Sequence, residues 1–185
     1  MGEPLILHYD GTSFTEVPIP AEENVRNATT MFKVWGIGGS VFIVGQNGEI
    51  NRWDGERWVF TSPGADASQD FVSLWGTSED HIVAVGGRGN AQLATWDGSA
   101  WTTLKPTGVG GLNGVTLLDP DTAIVGGVNG FVGSFQPSTG TLTEEARPTT
   151  LDVHAVWSDG AGTAYAVAGH FLPPYDGAAF VRRED

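Results

Sequence analysis

The side chains with the clearest chemical potential in this sequence are aspartates that recur in one short pattern. Asp54 and Asp97 each stand in a Trp-Asp-Gly-x-x-Trp segment, where two indole rings frame a carboxylate suited to acid–base chemistry. The Asp-Gly step recurs beside other aromatic residues at Asp10 and Asp176. A catalytic group is needed once, whereas Asp-Gly supplies the positive φ that every tight hairpin requires. We therefore predict that all four aspartates form structural turns, with their aromatic neighbours packed between blades.

The sequence contains few of the residue patterns that other catalytic or metal-binding sites require. The chain has no cysteine, which excludes disulfides, thiolate zinc sites and cysteine nucleophiles. Its four histidines lack close metal-ligand spacing, and Asp119-x-Asp121 is more typical of a turn than of a calcium site. No glycine-rich phosphate loop precedes a helix. We therefore expect no cofactor, no metal and no enzymatic activity.

Composition and charge limit the fold class and the kinds of binding partner that we expect. The 185 residues include 27 Gly, 10 Pro, seven Trp and nine Phe, which favours many short strands separated by turns. The net charge of −13 repels phosphate backbones and anionic lipid, so we expect neither nucleic acid nor membrane as a partner. No apolar run approaches the roughly 20 residues of a membrane helix. The composition predicts a soluble all-β protein.

Internal repeats organise the whole chain. Trp35 and Trp75 lie 40 residues apart in matching contexts, and units of that length span residues 32–70, 71–111, 112–150 and 151–185, preceded by a half unit at 5–31. The third unit lacks the Asp-Gly turn, at "FQPSTGTL" (135–142), and we expect it to be the least regular. The fourth restores Trp157 and an Asp176 version of the turn. The recurring tryptophans Trp35, Trp75 and Trp157 are expected in the core.

Each whole unit contains four short strand patterns. Apolar second strands such as "VFIV" (41–44) and "IVAV" (82–85) indicate burial on both faces, and alternating third and fourth strands indicate half-exposure. Such a sheet must stack against copies of itself, so we predict a single β-propeller domain of four-stranded antiparallel blades. Four complete repeats and a half repeat make about five blades, with two strands missing. The chain is then a five-bladed ring with one incomplete blade, a piece of a larger propeller, or a protomer completed by oligomerisation.

Ligand-binding residues are expected where the units differ. The turns after the second strands share one face with the connections between units, and propellers usually bind ligands on that face. Phe131 and Phe171 are candidates for an aromatic contact with a sugar. The polar candidates in these turns are Gln46, Asn47, Arg88, Asn90, Asn129 and His170.

The Trp-Asp-Gly-x-x-Trp turn resembles the Asp-box hairpin of sialidase-type propellers, and the repeat is similar to those of large bacterial, often secreted, propeller proteins. The resemblance implies structural turns on the face opposite the ligand. It departs from the strict Asp-box, because among the residues two before each aspartate only Thr95 is a hydroxyl residue. The seven arginines and three tyrosines do not supply a sialidase site of three arginines and a Glu-activated tyrosine.

These patterns lead to three functional hypotheses. The first is a non-catalytic module that binds a glycan or a protein on the loop face. The alternative is a structural or engineered propeller fragment that forms a homo-oligomer through its incomplete blade. The third is a glycoside hydrolase.

Overall fold

The computed structural model describes residues 5–17, 30–61, 64 and 69–183. These residues form seventeen β-strands in five antiparallel sheets. Their only helical segments are two short 3-10 turns, Gln46–Gly48 and Val128–Gly130. None of these segments has the length and apolarity that crossing a bilayer as a helix requires. The all-β architecture is as predicted from the sequence.

The sheets follow the repeats in chain order. The N-terminal hairpin comprises β1 (Leu7–Tyr9) and β2 (Phe14–Glu16). Blade 1 comprises β3 (Met31–Ile37), β4 (Ser40–Gly45), β5 (Ile50–Trp53) and β6 (Trp58–Phe60). Blade 2 comprises β7 (Phe71–Ser78), β8 (His81–Gly86), β9 (Gln92–Trp96) and β10 (Trp101–Leu104). Blade 3 comprises β11 (Leu112–Asp119), β12 (Thr122–Gly127), β13 (Val132–Gln136) and β14 (Thr141–Ala146). Blade 4 comprises β15 (Asp152–Ser158), β16 (Ala164–Gly169) and β17 (Gly177–Arg182).

The core lies between neighbouring blades. In β8 the residues from Ile82 to Gly86 are all buried, as the continuous apolar run predicts for a strand covered on both faces. Phe42 of blade 1 packs with Leu74 of blade 2, and a second cluster joins blades 2 and 3. A smaller cluster around Val153 joins blades 3 and 4. Each blade is therefore stabilised by its neighbours rather than by a core of its own.

Blade 4 differs from the prediction of a four-stranded unit, since it has three strands in the order β15-β16-β17. Alignment with β9 of blade 2 places the third strand at "FLPPY" (171–175), where two prolines cannot donate ladder hydrogen bonds. These residues instead form a connection, and β17 takes the third position, with Gly177 paired to Gly169. The prediction that Asp176 forms the repeated hairpin turn is therefore wrong.

Blade 3 was expected to be the least regular unit, and its ladders do contain three register shifts, but in its number and length of strands that expectation is wrong. It has all four strands, and its outer strand β14 has six residues against three in β6. A different turn replaces Asp-Gly: the N–H of Gly140 donates to the carbonyl of Gln136 at 2.9 Å, and Gly140 supplies a φ of +68°. The carboxylate of Asp121 accepts hydrogen bonds from the backbone N–H and the hydroxyl of Ser138, at 2.9 and 2.8 Å.

The recurring tryptophans do not share one environment. Trp35 and Trp75 are partly buried, with ring centroids 6.0 Å apart across the junction of blades 1 and 2. Trp157 is 52% exposed, so its predicted core position is wrong. No further blade follows β15–β17 within the described residues, and the ring of Trp157 meets only Tyr165 of its own blade among the aromatic side chains described. At the other end of the array Val34 of β3 is 61% exposed.

Candidate functional site

The aspartate turns have one geometry at three of the four predicted positions. Asp97 Oδ1 accepts hydrogen bonds from the backbone N–H groups of Ser99 and Ala100, both at 2.8 Å. Asp10 and Asp54 accept the equivalent pairs at 2.8 to 2.9 Å. These backbone donors hold the pKa of each carboxyl below its ordinary value. Each of these carboxylates thus closes its own hairpin.

The aromatic residues beside these turns pair across the hairpin. Trp96 and Trp101 have ring centroids 5.3 Å apart, and each lies 6.1 Å from the ring of Phe42 in blade 1. The indole N–H of Trp101 donates to Thr61 Oγ1 of blade 1 at 3.1 Å. This pair packs between blades as predicted, which gives its rings a structural role. The same prediction is wrong for Tyr9, Phe14 and Tyr175, which are 53%, 68% and 77% exposed.

On the loop face, Asp70 binds two of the predicted ligand residues. Its buried carboxylate accepts the backbone N–H of Asn47 at 3.1 Å and Nε of Arg88 at 2.9 Å. Asn47 has a φ of +61°, which aims that N–H across the blade junction. Gln46 lies beside them, and its Oε1 accepts the N–H of Thr30 at 3.2 Å. Asn47 and Arg88 are thus brought together, but as parts of a contact between blades 1 and 2.

The junction of blades 3 and 4 repeats this arrangement. Asn129 has a φ of +55°, and its N–H donates to Asp152 Oδ1 at 2.9 Å. Its carbonyl accepts from Arg147 at 3.2 Å, and the Arg147 guanidinium lies 5.3 Å from the ring centre of Phe131. Because Phe131 is buried, its predicted role as an exposed sugar-binding ring is wrong. Asp70 and Asp152 occupy equivalent positions at the start of the first strands of their blades, each five residues before the repeated tryptophan, Trp75 or Trp157.

His170 lies in the connection of blade 4, away from both carboxylates. Its neighbour Phe171 is 80% exposed, and the Phe171 ring centre lies 4.3 Å from that of His154. His154 Nε2 lies 2.9 Å from the carbonyl oxygen of Gly169. The structure therefore retains an exposed aromatic ring beside His170, but it does not gather the six predicted residues into one pocket.

A cavity of about 320 Å³ opens beside the loop turn of blade 2, lined by Gln69, Asn90, Gln92, Lys105 and Thr107 among others. We call it the amide cavity. Gln92 is 0% exposed, and its Nε2 and Oε1 have no hydrogen-bond partner. A buried unpaired amide costs free energy, so this side chain is unusual in a folded protein. Of the predicted residues, only Asn90 lines this cavity.

Sequence reasoning missed Gln92 because it treated the residue as an ordinary strand position. The aligned repeats carry a signal, since Glu49, Gln92 and Phe131 occupy the same place at the start of the third strand and all are buried. Glu49 Oε1 accepts a hydrogen bond from Asn51 Nδ2 at 3.1 Å, and burial raises the pKa of its carboxyl. Because phenylalanine fits this position in blade 3, hydrophobic packing alone does not explain a buried polar residue there in blades 1 and 2.

The described residues bring no three His, Asp or Glu side chains together in a form able to hold a metal ion. Asp119 Oδ1 accepts the backbone N–H of Asp121 at 2.8 Å, and Asp121 holds Ser138. This pair therefore has the hydrogen bonds of a turn.

Comparison with known proteins identifies the fold. No family model and no curated protein matches the chain. Virginiamycin B lyase from Staphylococcus aureus is similar at 16% identity and TM-score 0.70, covering 93% of this chain and 60% of that one. YCF48 from Cyanidioschyzon merolae has 18% identity and TM-score 0.60, covering 91% and 59%. The computationally designed Ika8 protein has 15% identity and TM-score 0.63, covering 83% and 45%.

These neighbours and the four-stranded blades define the chain as a β-propeller. The chain spans 45 to 60% of the length of these three structures. At such identities the likeness extends to the fold alone.

Proposed function

We propose that this chain is a non-catalytic propeller module that binds a neutral carbohydrate in the amide cavity. The observation that supports it is the fully buried Gln92 amide, which has no partner for its donors or its acceptor. Sugar hydroxyls both donate and accept hydrogen bonds, so a hydroxyl pair satisfies both ends of a primary amide. Because the Gln92 amide is fully buried, binding requires this side chain to turn toward the cavity. Asn90 and Gln69 also line this cavity, and Gln69 Oε1 already accepts the backbone N–H of Arg88 at 2.8 Å.

The size of the cavity selects a small ligand. Its volume of about 320 Å³ lies at the lower end of the range for small-molecule pockets, about 300 to 1,000 Å³. A single sugar ring suits this space, with the rest of a glycan extending over the loop face. At about 0.3 kcal/mol for each of roughly twelve non-hydrogen atoms, a hexose binds with a Kd on the order of 1 mM.

The overall charge of the chain favours a neutral sugar over an acidic one, with Lys105 as the single cation among the described residues that line the cavity. The chain carries a net charge of −13, and that field opposes the approach of carboxylated or sulfated saccharides. Neutral hexoses are unaffected by it. We therefore expect binding of neutral sugars to change little with ionic strength.

The absence of catalysis belongs to the same proposal. Most glycoside hydrolases use two carboxyl groups about 5 to 9.5 Å apart. No carboxylate lines the amide cavity among the described residues. We further infer descent from bacterial Asp-box-type propellers, an inference supported by the shared hydrogen bonds of the turns at Asp10, Asp54 and Asp97.

A glycan array containing neutral and acidic saccharides tests the proposal, followed by calorimetric titration of the neutral saccharide that binds best. Gln92→Met and Asn90→Ala should each abolish the heat of binding. Gln46→Ala, which removes an amide from the equivalent turn of blade 1, should leave it unchanged. Absence of any neutral saccharide signal, or full binding by Gln92→Met, would refute the proposal.

A further inference from the structure

A tryptophan–glycine contact joins blades 1 and 2. Trp35 packs over Gly76, and a Cβ placed on Gly76 would lie only 2.8 Å from Cη2 of Trp35. The indole thus occupies space that any other residue at position 76 would fill. Trp35 is partly buried by this contact, and its ring also meets Trp75.

The same tryptophan and glycine positions recur at opposite ends of the array, and neither residue makes this contact there. Trp157 of blade 4 is equivalent to Trp35, because both occupy the repeated tryptophan position in the first strand of a blade. Gly36 of blade 1 is equivalent to Gly76, because each follows the repeated tryptophan. Gly36 is exposed, and a Cβ placed there would meet only Ser40 and Val41 of its own blade. Trp157 therefore lacks a glycine, and Gly36 lacks an indole.

The surroundings of both halves are apolar. Beside Trp157, the exposed face of blade 4 carries Tyr165 and Val167, and the Tyr165 ring centre lies 5.7 Å from that of Trp157. Beside Gly36, the exposed face of β3 carries Phe32 and Val34. Exposed apolar patches of this kind mark interaction surfaces. In blades 1 to 3 the corresponding faces pack against the next blade.

We propose that two copies of this chain associate head to tail, with Trp157 of each copy packed on Gly36 of the other. The interface continues the contact already made between blades 1 and 2. It joins different surfaces of the two copies, and such an interface closes into a ring when the rotation permits. Two copies contribute eight blades, within the range of about four to eight for closed propellers, whereas three copies contribute twelve.

The sheet edges agree with this arrangement. β17 is the outer strand of blade 4, and its outer edge has no strand partner within the described residues. The hairpin β1–β2 lies over blade 1, above a cavity of about 450 Å³ lined by Leu7, Val34 and Trp58 among others. The dimer brings the hairpin of one copy beside β17 of the other. An exposed strand edge that invites association is thereby covered.

Sedimentation equilibrium across a range of protein concentrations tests the dimer. The expected mass is twice the 19.5 kDa of one chain. Trp157→Ala should weaken dimerisation by about 10- to 100-fold, since buried tryptophans dominate interface energetics. Because Trp157 is half exposed, this variant should remain folded as judged by circular dichroism. Phe171→Ala, which removes an exposed ring on the loop face, is the matched control and should leave the mass unchanged.

Mixing variants tests the head-to-tail geometry. Gly36→Ala should also weaken dimerisation, because its Cβ meets the indole of the partner copy. In a mixture with Trp157→Ala, one of the two interfaces again pairs an intact Trp157 with an intact Gly36, and dimer should partly return. A strictly monomeric wild type, an open series of larger assemblies, an unchanged Trp157→Ala dimer, or no recovery on mixing would each overturn the proposal.

Discussion

Replacing Gln92 by methionine tests whether the buried amide is held for a ligand rather than for stability. Methionine has a similar length and no strong hydrogen-bonding group, so it fills the same space. In the unliganded protein, both polar atoms of Gln92 are buried without partners. The substitution removes them and should stabilise the fold while abolishing saccharide binding.

The magnitude follows from the two unpaired atoms. An unsatisfied buried polar group costs about 1 to 3 kcal/mol, and a volume-conserving core substitution loses less than about 1.5 kcal/mol. Counting both atoms as one amide group at the middle of its range, about 2 kcal/mol, less a repacking loss of up to about 1 kcal/mol, the net gain for Gln92→Met is about 1 to 2 kcal/mol. For a domain of this size, each kcal/mol raises Tm by about 2 to 4 °C, so we expect an increase of about 2 to 8 °C.

Urea unfolding followed by tryptophan fluorescence measures this free energy, and calorimetry measures saccharide binding on the same samples. Thr116→Val is the matched control, because Thr116 Oγ1 is also buried without a partner but lies in blade 3, outside the amide cavity. Both variants should be stabilised, and only Gln92→Met should lose binding. A loss of stability in Gln92→Met would show that its amide is paired in the folded protein and would refute the reasoning.

Further predictions concern the turns, the buried carboxyl and the core. The folded-state pKa of Asp97 is lowered, so its stabilising contribution is present above the ordinary pKa of 3.8 and is lost as the pH falls below that value. Asp97→Ala should therefore lower the urea midpoint at pH 7 and make the midpoint depend less on pH in acid. Saccharide binding should not change. The folded-state pKa of Glu49 is raised, so the free energy of unfolding declines as the pH rises above 4.5. Glu49→Gln should remove this decline between pH 4.5 and 8. The control Glu56→Gln changes an exposed carboxyl and should leave the decline in place. Leu74 is fully buried between blades 1 and 2, and Leu74→Ala should cost about 2 to 5 kcal/mol in urea unfolding.

Much of the blade architecture is readable from local sequence. The run "IVAV" (82–85) is apolar at every position, and it is buried at every position in β8. The Asp-Gly turns at 10, 54 and 97 are equally readable, because the carboxylate binds backbone N–H groups only two and three residues away. Interactions of such short range need no knowledge of the rest of the chain.

Local patterns failed where strand pairing or spatial neighbours decide the outcome. The Asp176-Gly177 step matches the other turns in sequence, yet the prolines before it prevent the strand that would make it a hairpin. Conversely, the turn of blade 3 lacks Asp-Gly and is still well formed, because the distant Asp121 binds Ser138.

At the candidate site too, some features follow from local sequence and others only from the tertiary structure. The sequence alone determined the strand positions of blades 1 to 3 and three aspartate turns, and it named Asn90 among the polar candidates. Only the tertiary structure showed that the Asp70 carboxylate accepts a hydrogen bond from the neighbouring blade, that the Gln92 amide is buried without a partner, and that Trp157 is exposed. The physical reason is that hairpins depend on neighbours in the chain, whereas burial and polar pairing depend on which blade stands opposite.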